Sequence, residues 1–184
     1  EEQIRNERNV WSNAVLFGGS LIFYAWGEPI YVFLMIGTIL IDYLLAILID
    51  RNRDDYSKCK WIFILTIILN VSILGFFKYF GFFVNNINSI FNLNIPFDGL
   101  ALPIGISFYT FQVLSYIVDV YLGKVEVQYN LINFATYVTM FPQLVAGPIV
   151  QYQTIEDQLN TRQESIVKFG EGVERFIQGL GKKV

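Results

Sequence analysis

Four stretches of this chain run for about a membrane's width with one charge or none. Residues 30–49 hold only Asp42, residues 61–83 only Lys78, residues 102–121 only Asp119, and residues 131–150 no charge at all. A helix of about twenty apolar residues crosses the ~30 Å hydrocarbon core of a bilayer, and few other folds accept so long an apolar run. The remaining charges gather in short clumps between these runs. Hydrophobic residues make up 54% of the 184 and charged ones 16%, against about 25% charged in soluble domains. The expected class is all-α: a polytopic helical membrane protein, multi-pass in the plasma membrane, with the lipid bilayer as its first partner.

Read in order, the chain offers four spans. The first covers residues 11–26, with Trp11, Tyr24 and Trp26 placed as interface aromatics. Glu28 and Pro29 turn the chain into the second, 30–49. Residues 50–60, DRNRDDYSKCK, carry four basic side chains and are expected in the cytoplasm. The third span is 61–83. Residues 84–99 lack Lys and Arg, are rich in Asn, and are expected outside as a loop. The fourth, 100–121, returns inward, with Pro103 in its first turn. Residues 131–150 are apolar but hold Pro142, Gly147 and Pro148, which break a helix. Basic residues follow, so the expectation is a broken or re-entrant segment that enters and leaves on one side. Residues 161–164, Thr-Arg-Gln-Glu, have the form of a capping box ahead of a cytoplasmic amphipathic helix over 162–180. All of it reads as one membrane domain, 1–184. The first residue is Glu and the first methionine is Met35, so the chain reads as the N-terminal-to-middle part of a longer protein.

Several chemistries are excluded. There is no histidine, and Cys59 is the lone cysteine, which removes His-based metal sites, internal disulfides and His-dependent triads. No metal site is expected. A net charge of −3 without a basic, aromatic-studded patch excludes nucleic acid as a partner. Walker and GxSxG motifs are absent.

Polar groups inside the spans carry what chemistry remains, since they are costly there and functional by default. At 100° per residue, Gly105, Phe108, Gln112, Ser115 and Asp119 share one arc about 80° wide. That arc is expected to face other helices or a wet cavity, while Ile106, Val113, Ile117 and Val120 on the opposite side meet lipid. Asp42 shares a stripe with Tyr31, Met35 and Thr38 and is expected to point into the bundle. Lys78 either snorkels to the interface or pairs with a buried carboxylate. A polar-lined cavity, an ion pathway in a channel or transporter, and a seam that only joins helices would all use these residue types.

The wording of residues 103–112, PIGISFYTFQ, of 116–121, YIVDVY, and of 141–148, FPQLVAGP, resembles the membrane-bound O-acyltransferases, in the bacterial branch of alginate O-acetyltransferase and the teichoic acid D-alanyl transfer protein. Residues 17–26, FGGSLIFYAW, fit the same branch. The resemblance implies an enzyme that moves an acyl group, acetyl in the first instance, from a thioester donor to a hydroxyl of an extracytoplasmic polysaccharide or cell-wall polymer. Acetyl-CoA or an acylated carrier protein would be that donor, a substrate and not a bound cofactor. The implied partners are the remainder of its own chain, an acyl carrier protein and an extracytoplasmic acyltransferase. The family's essential histidine lies further downstream, so no catalytic residue is expected here and these residues alone are expected to be inactive. Gln112, Ser115, Asp119 and the broken motif Pro142, Gln143, Gly147 and Pro148 match family motifs, and are expected to line the tunnel or support it. Leu122 and Gln151 stand where the family pattern carries arginine, which leaves Lys124 as the nearby cation.

Overall fold

The computed structural model describes residues 2–91, 93, 96, 101–144, 150–161 and 165–183. Eight helices and no strand occur among them: α1 Glu2–Gly27, α2 Tyr31–Arg51, α3 Tyr56–Phe91, α4 Ile106–Tyr121, α5 Leu131–Thr139, α6 Phe141–Leu144, α7 Tyr152–Thr161 and α8 Ile166–Lys183. Of these, α2 and α3 are long and apolar enough to cross a membrane.

Side-chain contacts set the directions. Cys59 Sγ lies against Ile49 O, Asn70 bonds Asp42, and the Phe77 ring meets Tyr31 edge-on, so α3 runs antiparallel to α2. Tyr31 donates to Ala101 O, while Arg53, just past the other end of α2, donates to Val120 O. Hence α4 runs parallel to α2. Asn13 meets Asn133 and Ser20 meets Phe141, which aligns α5 with α1. Leu159 O accepts from Asn13, which brings α7 against the middle of α1. Helix α4 sits at the centre, packed on α2, α3 and α5.

Several boundaries differ from the sequence expectation: α1 begins at Glu2 and α3 at Tyr56, ahead of the expected 11 and 61, and three more differ further along. Helix α3 does not stop at Phe83 but continues to Phe91, so the first half of the expected outer loop is helical. Asn86 Nδ2 donates to Phe82 O and Ser89 Oγ to Asn85 O; these side chains bond back along the helix instead of opening a turn. Helix α4 starts at Ile106, after Pro103, whose carbonyl accepts the Ile106 N–H. Gly105, the residue before the helix, takes φ of 75°, a left-handed conformation that costs glycine little. Lastly, Thr161 ends α7, and Ser165 caps α8: its Oγ accepts from Lys168 N at 3.1 Å. Residues 162–164 of the expected capping box lie outside the described residues.

Helix α8 carries Ile166, Phe169, Val173, Phe176, Ile177 and Leu180 on one face, and all of its described residues are exposed.

Candidate functional site

The arc expected on α4 splits in the fold. Gln112 is buried and donates from Nε2 to Tyr137 O at 2.7 Å. Tyr137 answers with its hydroxyl, which donates to Gln112 O at 3.4 Å and to Val150 O at 3.0 Å. The Gln112 amide thus ties α4 to α5, and the Tyr137 hydroxyl ties α5 to the chain entering α7. Phe108, Ser115 and Asp119 instead share an open or half-open stripe with Ile104, Phe111 and Leu122. This stripe is aromatic toward the start of α4 and polar toward its end. Ser115 Oγ donates to Gln112 O within its own helix. The Asp119 carboxylate lies 4.0 Å from Lys124 Nζ.

The expectation that Ile106, Val113, Ile117 and Val120 meet lipid is overturned: none is more than 2% exposed. Apolar side chains suit lipid and a packed interior about equally, so hydropathy does not choose between them. Here the interior takes them, because α2, α3 and α5 enclose that side of α4.

Asp42 points inward as expected, 1% exposed, and its Oδ1 accepts from Asn70 Nδ2 at 2.6 Å. Lys78 does not join it. That lysine is exposed, its ammonium 5.7 Å from the Tyr79 ring centre. Asp42 and Asp119 do not meet either. Asp42 stands level with Tyr109, each eleven residues before the Arg53–Val120 O contact, and Asp119 lies ten residues further along α4, about 15 Å at the helical rise. Pro142 and Gln143 fall in the short helix α6, which Met140 separates from α5 with ψ of 109°. Gly147 and Pro148 lie outside the described residues. Among the described residues no cluster of His, Cys, Asp and Glu is suited to a metal ion.

Two assemblies were not anticipated. The first is a buried cluster of Tyr116, Phe134, Tyr137 and Tyr152. The Tyr116 ring lies 5.2 Å from that of Phe134 and 4.9 Å from that of Tyr152. Gln128 stitches it, donating from its backbone to Tyr116 Oη and from Nε2 to Tyr152 Oη. Burial pushes the Tyr152 phenol up to about 12. Its members are spread over separate elements, so no local period announces it. The second is a cleft of about 350 Å³ past the end of α4, lined by Asp50, Arg53, Lys124, Glu126 and Tyr129 among others. Arg53 Nε bonds Asp50 Oδ1 at 2.6 Å, and Tyr129 donates to Asp50 Oδ2 at 2.6 Å. That acceptor carboxylate raises the Tyr129 phenol above its ordinary range. Arg53 also satisfies a terminal carbonyl of α4, Val120 O. Four residues on, Lys124 brings a second cation to the same cleft. The basic clump of 50–60 was the signal for this site, read only as a topology mark.

No family model matches the chain, and no solved structure matches it. Curated relatives do. The chain is 39% identical over 179 residues to the probable alginate O-acetylase AlgI of Pseudomonas aeruginosa, an alignment covering 95% of this chain and 34% of that protein. To the probable alginate O-acetylase AlgI of Azotobacter vinelandii it is 37% identical over 180 residues, covering 95% and 36%. A peptidoglycan O-acetyltransferase of Helicobacter pylori is 32% identical over 192 aligned residues, covering 90% and 36%. The chain spans about a third of the length of these relatives.

Proposed function

Because the chain belongs to the membrane-bound O-acyltransferase family, we propose that it builds one wall of an O-acyltransferase that carries an acetyl group from a thioester donor to a hydroxyl of an extracytoplasmic polysaccharide or cell-wall polymer. The observation that carries this reading is the alignment of 95% of the chain with O-acetylases. The open stripe of α4 agrees with it. Phe108, Phe111, Ser115 and Asp119 run along the central helix without a neighbouring helix fully covering them, the property a tunnel wall needs. The donor, acetyl-CoA or an acylated carrier protein, enters on the side of the Arg53–Lys124 cleft, where its anionic groups meet Arg53 and Lys124 in competition with Asp50 and Glu126. The reaction's base comes from outside this chain, which has no histidine.

The reading includes a topology. Residues 50–60 lie in the cytoplasm, and the end of α3 outside. The 131–150 segment is re-entrant: α5 starts beside Tyr129 and Asp50, Leu144 lies against Gly105 near the start of α4, and Val150 is back beside Tyr137. Helix α8 lies on the cytoplasmic membrane surface with its apolar face down. Single cysteines at Ser57 and Asn85, both exposed, in a Cys59→Ser background should label with an impermeant thiol reagent from opposite sides of the membrane. Labelling from one side refutes the topology.

Asp119 tests the function. In the full-length protein, Asp119→Asn keeps the shape and removes the charge beside Lys124. Acyl transfer should fall at least ~10-fold, about 1.4 kcal/mol of barrier, with the melting temperature near the parent's. Val118→Ala, one position away, should change transfer little. Transfer lost only in proportion to folded protein would make Asp119 structural, and a parent without any acyl transfer but with ion flux would favour a channel.

A further inference from the structure

One pair of polar groups stands apart from the arrangements above. Asp42 on α2 and Tyr109 on α4 are 1% and 2% exposed. Asp42 Oδ1 is engaged by Asn70, but Asp42 Oδ2 and the Tyr109 hydroxyl have no hydrogen-bond partner among the described residues, each other included. Helices α2 and α4 run parallel, and Asp42 and Tyr109 each lie eleven residues before the Arg53–Val120 O contact, so the two stand level; the Tyr24 hydroxyl is committed to Ile104 O at 3.1 Å. Nearby hydroxyls are committed too: Thr38 Oγ1 donates to Met35 O, and Thr66 Oγ1 to Ile62 O. Lys78, exposed over Tyr79, supplies no cation. A buried acceptor and a buried donor therefore lie at the same level of the helix interior, neither satisfied by a described residue. Buried polar groups are rarely left so, and at membrane depth bulk water does not reach them.

We propose that Asp42 and Tyr109 form a binding site for a hydroxyl group, an O–H that donates to Asp42 Oδ2 and accepts from the Tyr109 phenol. A carboxylate beside a phenol selects a neutral group with one donor and one acceptor. It disfavours an anion, which would face the carboxylate, and a thiol, whose hydrogen bonds are weak. Asn70 is the positioning residue, since its amide holds the carboxylate by the other oxygen. Two sources offer this chemistry: an ordered water, and the hydroxyl of an alcohol substrate. The second rests on the acyl-transfer reading, and the first does not.

The test uses the full-length protein in detergent or membranes, with Tyr109→Phe, Asp42→Asn and the double variant. Tyr109→Phe removes a single oxygen and keeps the ring, so it disturbs packing little. With a water bridging the pair, Tyr109→Phe lowers the melting temperature by roughly 1–3 °C without any substrate present. The same change costs clearly less in the Asp42→Asn background, because the bridge is already broken. With a substrate hydroxyl in the site, melting without substrate stays put, while KM for the acceptor alcohol rises ~10-fold or more. An unchanged or raised melting temperature together with an unchanged KM overturns the proposal. If Asp42→Asn fails to fold, Tyr109→Phe decides alone. A parent that transfers no acyl group ends the acyl-transfer reading and leaves the melting experiment to judge the site.

Discussion

Gly105→Ala should cost the protein about 2–5 kcal/mol, enough to remove most of its folded yield. Two independent terms add here. With φ of 75°, position 105 is left-handed, which charges an L-residue roughly 1–2 kcal/mol. A Cβ there would also sit 2.8 Å from Leu144 O. That atom is backbone and cannot swing aside, so overpacking adds about 1–3 kcal/mol. The contact joins the start of α4 to the end of α6, so relief of the clash would move both. Gly37→Ala is the matched comparison. Gly37 lies inside α2, and a Cβ there meets nothing within 4 Å; helix propensity alone then favours alanine by about 1 kcal/mol. Folded yield and melting temperature of the two variants should move in opposite directions. Equal tolerance at both positions would mean that the α4–α6 contact is not formed.

Tyr116→Ala is the second large effect. Its side chain is wholly buried among Phe134, Tyr137 and Tyr152. Truncating a ring of that size costs about 3–5 kcal/mol through lost transfer energy and the cavity left behind. The variant also loses the acceptor of the Gln128 N–H. Tyr116→Phe separates the terms, since it keeps the ring and removes only the oxygen, at about 1 kcal/mol. Thermal melting should rank parent, Phe and Ala in that order, with the larger step between Phe and Ala. A Phe variant as damaged as the Ala variant would place the weight on the Gln128 bond instead of the aromatic packing.

How far the sequence revealed this fold depends on which physical signal each element used. Uncharged runs located α2 and α3 well, because charge avoidance in hydrocarbon is a strong, local constraint. The far end of α3 was missed for a local reason as well. Residues 84–99, rich in Asn and without Lys or Arg, are expected between spans on the outside, yet Asn86 bonds back to Phe82 O and stays helical. The 3.6-residue period grouped Ile106, Val113, Ile117 and Val120 correctly but did not show which side faces inward, and it joined Gln112 to Ser115 and Asp119, from which the fold parts it. Gln112 was legible as a buried polar group; its partner, Tyr137 O, was not, since a backbone carbonyl carries no sequence mark. Asn13 was overlooked in an apolar run, though it donates to Asn133 Oδ1 and Leu159 O and links α1 to α5 and α7. A buried asparagine in such a run is a usable signal, because it must find partners. The cluster around Tyr116 was illegible, for its contacts reach from 116 to 152 with no period between them.

Helix α3 also sets terms for the bilayer around it. Its 36 residues reach about 54 Å at the helical rise, far beyond a ~30 Å hydrocarbon core. Its shaft over residues 61–84, uncharged but for Lys78, measures about 36 Å. Across a membrane such a shaft is mismatched and must tilt, or thicken the lipid beside it, at a fraction of a kcal/mol per Å. Asn85, Asn86, Asn88 and Ser89 then stand beyond the lipid as a polar post that cannot be drawn in cheaply. Longer acyl chains let such a helix stand straighter, and shorter ones tilt it. Its tilt, and through the Phe63–Tyr121 ring stack the tilt of α4, is coupled to the thickness of the membrane in which the protein sits.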